Sequence, residues 1–429
     1  MTITAQPVRI EELDAHFQKR RHQVPVLARR AQEAGTTAIR TADDVLPLLF
    51  PHTTYKSYPE SLVSKGRWEQ LNRWLDSLST YRVDVDVDGV ADVDGWIAHL
   101  EEAGHLVSSS SGTSGKGSFL DKSARDREVS LQNLLDCLTG MGLPPDRSWN
   151  FIPVGPETRV SQHVATRDLL VDSFHRRDGV ALPPSAAPEG HHRYMSRLSA
   201  MRKAMADGTA SPDEVAAFEA EAAQRQQLQD GRLSYLAEQI LARPTERFFF
   251  SSQFPQLFRL TEVLRELGAS DGDLTGGNAL TVAGGLKGVT LPPDYRERIF
   301  GILNIAPERF LHYYSMQELN LRMPKCLAGR YHVPAGLHLF VLDRDGESLV
   351  PLQGGVAEGR AAFFDTTVDG RWGGTISGDK VVAEYGECSC GRPGITIHDD
   401  IARFSDLHDD DKITCAGTMD AYVRGFIEG

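Results

Sequence analysis

Two kinds of apolar spacing divide the chain. Over residues 10–34 and 67–79 apolar positions recur every three or four residues beside polar faces, which predicts helices; an aromatic, proline-broken stretch at 49–61 joins them. These helices read as a flanking layer over residues 1–103. From Gly104 onward short apolar runs at 105–111, 148–155 and 246–255 alternate with helical periods at 129–142, 159–174 and 256–268. That order is the pattern of stacked βα units and a largely parallel sheet, so the fold class expected is layered α/β. Between Pro183 and Pro244 the pattern becomes a long helical segment rich in Ala, Gln, Glu and Arg, and Ser211, Pro212 and Glu214 open its second helix with a capping box. It reads as an insertion at about 184–243 in a core spanning 104–408, serving as surface elaboration, a lid or a homodimer contact. After Thr281 turns multiply, and hairpin-like pieces at 337–352 and 361–376 predict a β-rich subdomain over about 326–400.

Composition narrows the class without naming a function. The 429 residues allow about three domain equivalents, or one large α/β unit with a small appendage. A net charge of −13, from 46 Lys and Arg against 59 Asp and Glu, argues against a broad phosphate-tracking surface, so nucleic acid is not an expected partner. Five cysteines without a disulfide-like spacing, and a first stretch lacking the apolar core of a signal peptide, point to a cytoplasmic protein. No run approaches the roughly 18 apolar residues of a membrane helix, so no membrane partner is expected. Asp84, Asp86, Asp88 and Gly89 imitate the opening of a calcium loop, but Gly95 stands where the bidentate Glu belongs. Their alternation with Val85 and Val87 predicts an edge strand instead.

The strongest local signal is the run from His105 to Gly117, a strand entering Ser110, Ser111, Gly112, Thr113, Ser114 and Gly115 and then Lys116. Small hydroxyl residues and glycines let backbone N–H groups and hydroxyls converge on phosphate oxygens. The G-x-x-x-x-G-K-[ST] pattern is not met, because Ser110 replaces its first glycine and Gly117 follows Lys116.

The loop resembles the Ser-Gly-Thr-Ser/Thr-Gly loop of acyl-adenylate-forming enzymes, the superfamily of acyl-CoA synthetases, luciferases and nonribosomal adenylation domains. Three further motifs follow in the order that resemblance implies. Ala283-Gly284-Gly285-Leu286-Lys287-Gly288 is similar to the adenine-contact loop, and Tyr314-Ser315-Met316-Gln317-Glu318 to Tyr-Gly-x-Thr-Glu, with Ser315 and Gln317 departing from it. Ser377-Gly378-Asp379 is similar to the Thr-Gly-Asp that holds the ribose. The resemblance implies ATP as substrate, Tyr314 on adenine, Mg²⁺ near Glu318, Asp379 on the ribose hydroxyls, and Arg403 on the α-phosphate or ribose. Lys116 stands earlier than the family's loop lysine, and Ser118 occupies that position.

Tyr55-Lys-Ser-Tyr-Pro59, Cys326, Gly336-Leu-His338 and Cys388-Ser-Cys390 carry a narrower resemblance, to phenylacetate-CoA ligases and the acyl-protein synthetases of bioluminescence. It implies structural zinc held by Cys326, His338, Cys388 and Cys390, with His332 as the competing ligand. Residues 409–417 look like the family's hinge, which implies that the mobile C-terminal domain is absent or vestigial in residues 409–429. The expected reaction is activation of a carboxylic acid to acyl-AMP and pyrophosphate, with CoA, a carrier protein or an amine as acceptor. Glu318 and Lys116 are its catalytic candidates, and Cys415 is the candidate for self-acylation. Phe248, Phe249, Phe250, Phe254 and Phe258 are either core or the lining of an acyl channel. A silent nucleotide-binding or scaffold protein of the same fold is the alternative.

Overall fold

The computed structural model describes residues 9–109, 116–183, 187–286 and 289–407, less a few side chains between 196 and 206, and these fold as α/β. The chain divides into two bodies, one of Met1–Ser130, His192–Ser199 and Met316–Gly429, the other of Leu131–His191 and Ala200–Ser315. Among the described residues no helix is long and apolar enough to cross a membrane.

In the first body the helices Ile10–Arg20, Pro25–Glu33, Trp68–Leu78 and Val93–Glu102 turn their apolar stripes into one core. Phe17, Leu27, Trp74 and Trp96 share that core with Phe340, Phe364, Trp372 and Ile376 of the β-rich segment. The expected boundary at residue 103 is therefore not where the chain divides. The strand Phe50–Pro51 runs parallel to Gly374–Glu387, with Phe50 opposite Thr375, so the flanking helices are stitched to the sheet by backbone bonds as well as by packing. Among the described residues the sheet has seven strands. Leu337–Leu342, Val356–Asp365, Gly374–Glu387, Pro393–Ile397 and Tyr331–His332 form an antiparallel path, and Ala402–Arg403 joins Gly374–Glu387 beside Phe50–Pro51. Both sequence-predicted hairpin regions thus lie in one sheet.

In the second body four parallel strands stand in chain order: Asn150–Pro153, Phe248–Ser252, Asn278–Ala283 and Ile305–Tyr314. Side chains of a strand alternate between faces. Phe248 and Phe250 accordingly pack with Leu257, Leu260 and Leu280, whereas Phe249 packs with Phe151, Phe174 and Leu311. Phe248, Phe249, Phe250 and Phe254 are core, and Phe258 is part-buried against it. Two buried asparagines tie the strand starts: Asn150 Oδ1 accepts from Val180 N at 2.8 Å, and Asn278 Oδ1 accepts from Phe248 N at 2.8 Å. The helix Pro212–Leu241 carries the predicted capping box between Ser211 and Glu214.

Two expectations change. The described part of the run at 105–111, residues 105–109, does not join the parallel sheet; Ser108–Ser109 pairs antiparallel with Phe119–Leu120, apart from that sheet among the described residues. The alternating stretch around Val85 and Val87 forms no strand among the described residues; side chains take carbonyls in and just after it, Asn72 Nδ2 donating to Val85 O at 2.9 Å and Trp68 Nε1 to Val90 O at 2.9 Å.

Trp372 joins helices to sheet, with its ring 4.7 Å from Phe364 and 6.4 Å from Phe17 and its indole N–H on Leu48 O at 2.8 Å. Trp372→Ala is expected to cost about 3–5 kcal/mol, measured as a lowered urea midpoint at unchanged slope.

Candidate functional site

Glu318 stands in a turn whose backbone is held by buried charges of the first body. Arg371, 1% exposed, donates from Nη2 to Glu318 O at 2.7 Å and Gln317 O at 3.3 Å, and from Nη1 to Asp121 O at 3.1 Å. Two residues on, Asn320 Nδ2 donates to Asp126 Oδ1 at 2.7 Å, while the N–H groups of Asn320 and Leu321 donate to Asp365 Oδ2 at 2.7 and 3.1 Å. Asp126 also accepts from the backbone N–H groups of Ser123, Asp369 and Gly370. Gly370 is required there, since a Cβ would lie 2.8 Å from Ser123 N and 2.9 Å from Asp126 Oδ2. The turn is thus over-determined by hydrogen bonds to charged groups, the stronger kind.

The charges around Glu318 tune one another. Burial pushes its carboxyl above the ordinary carboxylate value, against its own N–H and the cations Arg371, Lys122 and Lys56. Burial and then Arg371 draw the Lys122 ammonium down to about 7, with Asp126 and Glu318 opposing. Lys56 is likewise lowered by burial, with Glu318 opposing and Arg403 adding to the effect. Burial would raise Asp126, yet Arg371 and the donors above hold it below its ordinary value. The Tyr55 hydroxyl, buried beside Arg371 and Glu318, is pushed up to about 12. A glutamate ringed by cations, with Gln317 Oε1 and Arg371 Nε buried and lacking hydrogen-bond partners among the described residues, is a setting that suits a polar, charged ligand.

Asp379 and Arg403 face each other across paired strands, with Arg403 Nε 3.7 Å from Asp379 Oδ1. Because Lys56 responds to both Glu318 and Arg403, the Glu318 turn and the Asp379 pair belong to one electrostatic neighbourhood. Lys116 lies 4.2 Å from the centroid of the Tyr58 ring and donates to the Tyr58 carbonyl. Gly284 and Gly285 follow the strand Asn278–Ala283, and Tyr314 ends Ile305–Tyr314; all three belong to the second body. Ser110, Ser111, Gly112, Thr113, Ser114, Gly115 and Cys415 lie outside the described residues, as do Lys287 and Gly288.

Reading the sequence left Lys56, Lys122, Asp126 and Arg371 without roles. Lys56 lay inside a noted motif, and Ser123-x-x-Asp126 is a reciprocal cap of the helix Ala124–Gly140, with Asp126 N on Ser123 Oγ at 3.2 Å. Lys122 and Arg371 carried no local signal.

A second cluster joins Cys326, His332, Cys388 and Cys390, whose ligand atoms all lie within 4.8 Å of one another. Two matching turns build it. Cys326 N donates to Arg330 O and Gly329 N to Cys326 O; Cys388 N donates to Arg392 O and Gly391 N to Cys388 O. Gly329 and Gly391 take positive φ, 78° and 82°. The first turn returns directly into Tyr331–His332, which pairs with the strand leaving the second turn. This corrects the histidine: His332 is the member, whereas His338 sits opposite Phe364 in another strand pair, near Glu12, Arg9 and Asp365. Sulfurs on a tetrahedral ion at ~2.3 Å stand about 3.8 Å apart. Cys326 Sγ and Cys388 Sγ are 3.9 Å apart, and Cys390 Sγ is 3.4 Å from His332 Nε2. Although burial opposes it, hydrogen bonds from Arg392 draw the Cys390 thiol down to about 7. The donor set fits a soft, tetrahedral cation.

No protein-family model and no curated protein sequence matches the chain. Among solved structures it is similar to ATP-bound MatB from Rhodopseudomonas palustris, with 14% identity and a TM-score of 0.37, covering 70% of this chain and 48% of that one. It is similar also to McyG A-PCP complexed with phenylalanyl-adenylate, at 11% identity and TM-score 0.35, covering 68% of this chain and 41% of that one. A third is an acyl-CoA synthetase (AMP-forming)/AMP-acid ligase II-like protein from Dyadobacter fermentans, at 11% identity and TM-score 0.31, covering 73% and 68%. The chain spans about half the length of the first two.

Asp126→Ala is expected to destabilise the protein by about 3 kcal/mol, since it leaves Asn320 Nδ2 and the N–H groups of Ser123, Asp369 and Gly370 without their buried acceptor and removes the anion beside Arg371. The native pKa of Asp126 is depressed, so its stabilisation is present above the ordinary value of 3.8 and disappears as pH falls through the lower native value. Urea titrations should therefore show the gap between wild type and Asp126→Asn smaller at pH 3 than at pH 7.

Proposed function

We propose that the protein is an acyl-adenylate-forming enzyme that uses Mg²⁺ and ATP to activate a carboxylic acid. The observation that carries this reading is the Glu318 turn: Arg371 binds the backbone carbonyl of the glutamate in the Tyr-x-x-x-Glu motif, Asn320 pins the chain two residues on to Asp126, and Lys56 and Lys122 bring positive charge to the glutamate. The motif order from Ser110 through Tyr314 and Glu318 to Asp379 supports it, as does the Asp379–Arg403 pair.

Bound Mg²⁺ would supply charge neutralisation for the phosphates. Glu318 is the residue to hold it, carried on a backbone that Arg371 and the Asn320 bonds fix. Lys56 and Lys122 bring positive charge to a low-dielectric setting, where it acts on phosphate or carboxylate oxygens more strongly than in water. Asp379 accepts hydrogen bonds from ribose hydroxyls, and Arg403 fixes its carboxylate or reaches the phosphate. The substrate carboxylate then attacks the α-phosphorus, forming the acyl-phosphate bond and expelling pyrophosphate. The thiol of CoA or a carrier protein, or an amine, then attacks the acyl carbonyl, forming a thioester or amide as the acyl–phosphate bond breaks, AMP leaves and the acceptor gives up its proton. The thiol cluster is proposed as structural zinc that pins the two turns and the Tyr331–His332 strand.

Carboxylate-dependent ATP–pyrophosphate exchange, run over a panel of aryl, fatty and amino acids, tests the reading. Exchange with at least one acid is expected, falling at least 100-fold in Glu318→Ala, while Asp379→Ala mainly raises the KM for ATP. Absence of exchange with every acid, together with ATP binding that survives Glu318→Ala, is the result that would make it a silent nucleotide-binding protein. For the metal, one equivalent of zinc is expected on the purified chain by elemental analysis, lost in His332→Ala and Cys388→Ser and kept in His338→Ala.

A further inference from the structure

Ser109, the last described residue before positions 110–115, is held from two directions. Its Oγ lies 2.7 Å from Nδ1 of His192, and its carbonyl accepts from Gln317 Nε2 at 2.8 Å. His192 is fixed in turn. The N–H groups of His192 and Arg193 donate to the two carboxylate oxygens of Asp94 at 2.9 and 2.8 Å, and Arg193 Nη1 pairs with Asp92 at 2.9 Å. Asp92 also caps the helix Val93–Glu102, accepting from Gly95 N at 3.0 Å. The Asp94 carboxylate is taken by backbone donors, so Ser109, His192 and Asp94 are not a nucleophilic triad despite their residue types. Their arrangement is that of a brace.

The brace continues to the site. Gln317 precedes Glu318, and Arg371 binds the carbonyls of both. A chain of hydrogen bonds therefore runs from His192 through Ser109 and Gln317 to the Glu318 turn, within the first body. Gln317 stands where the resembling motif has Thr, and its amide reaches Ser109 O by virtue of the longer side chain.

We infer that His192, contributed by the 184–243 insertion, is a positioning residue for Glu318, acting through Ser109 and Gln317. The helical insertion thereby has a function at the site: it supplies the far end of the brace. The consequence for Mg·ATP rests on the reading of Glu318 given above; the mechanical coupling does not.

Hydrogen–deuterium exchange and Mg·ATP titration on the full chain separate the two. In His192→Ala, exchange of the peptide covering residues 316–321 is expected to rise about tenfold, with a peptide from Trp68–Leu78 unchanged. His192→Asn, which keeps a polar atom near the Nδ1 position, should stay within about twofold of wild type. In the double variant His192→Ala/Gln317→Ala the rise should not exceed that of Gln317→Ala alone, because one path carries both effects. Mg·ATP affinity is expected to fall about tenfold in His192→Ala and to be restored in His192→Asn. Unchanged exchange at 316–321 in His192→Ala, or additive effects in the double variant, would overturn the brace. Coupled exchange in a wild type that binds no Mg·ATP leaves the brace standing and removes the nucleotide reading.

Discussion

Burying Arg371 and Asp126 is the constraint around which the first body is arranged. An isolated buried charge costs far more than any single contact returns, so each must be surrounded by groups that satisfy it. Asp126 collects N–H and amide donors from the loops at 123, 320 and 369–370. Arg371 collects carbonyls from Asp121, Gln317 and Glu318. Loops that lie far apart in sequence are thereby fixed to one another at a place where the sheet and its covering helices also converge on Trp372. The glutamate at the centre inherits that rigidity without contributing its own carboxylate to it.

This division of labour has electrostatic consequences. Arg371 spends its donors on carbonyl groups, so its charge is not consumed by a direct carboxylate partner at the turn and is felt by Lys122 and Glu318 alike. Lysine readily shifts its pKa when desolvated, and arginine does not. Lys122 is therefore the adjustable charge of the site.

The thiol cluster shows the same economy at another edge of the sheet. Two turns of like construction, each with a left-handed glycine three residues after its first cysteine, present their sulfurs at the spacing of a tetrahedral edge. The histidine that completes the set is the one brought alongside by the strand Tyr331–His332. The Gly-Leu-His histidine, more prominent as a motif, is carried away by the hairpin that Leu337–Leu342 begins.

Residue order alone determined the features that depend on short-range periodicity and on local hydrogen bonding: the amphipathic helices, the βα alternation, the Ser211 capping box and the two hairpin regions. What escaped it depends on contacts between distant segments. Nothing in the neighbourhood of Lys122 or Arg371 in the sequence marks them as buried, because burial is conferred by loops hundreds of positions away. Ser108–Ser109 reads as one more strand of the parallel sheet until its pairing with Phe119–Leu120 is seen. The period-two run at Val85 and Val87 has strand character but forms no strand among the described residues, and side chains from Trp68 and Asn72 take carbonyls in and just after it. Choice of pairing partner, choice of the histidine that stands beside the three cysteines and the satisfaction of buried charge were decided by the tertiary structure, since each is a competition among distant groups for the same hydrogen bonds and the same dry space.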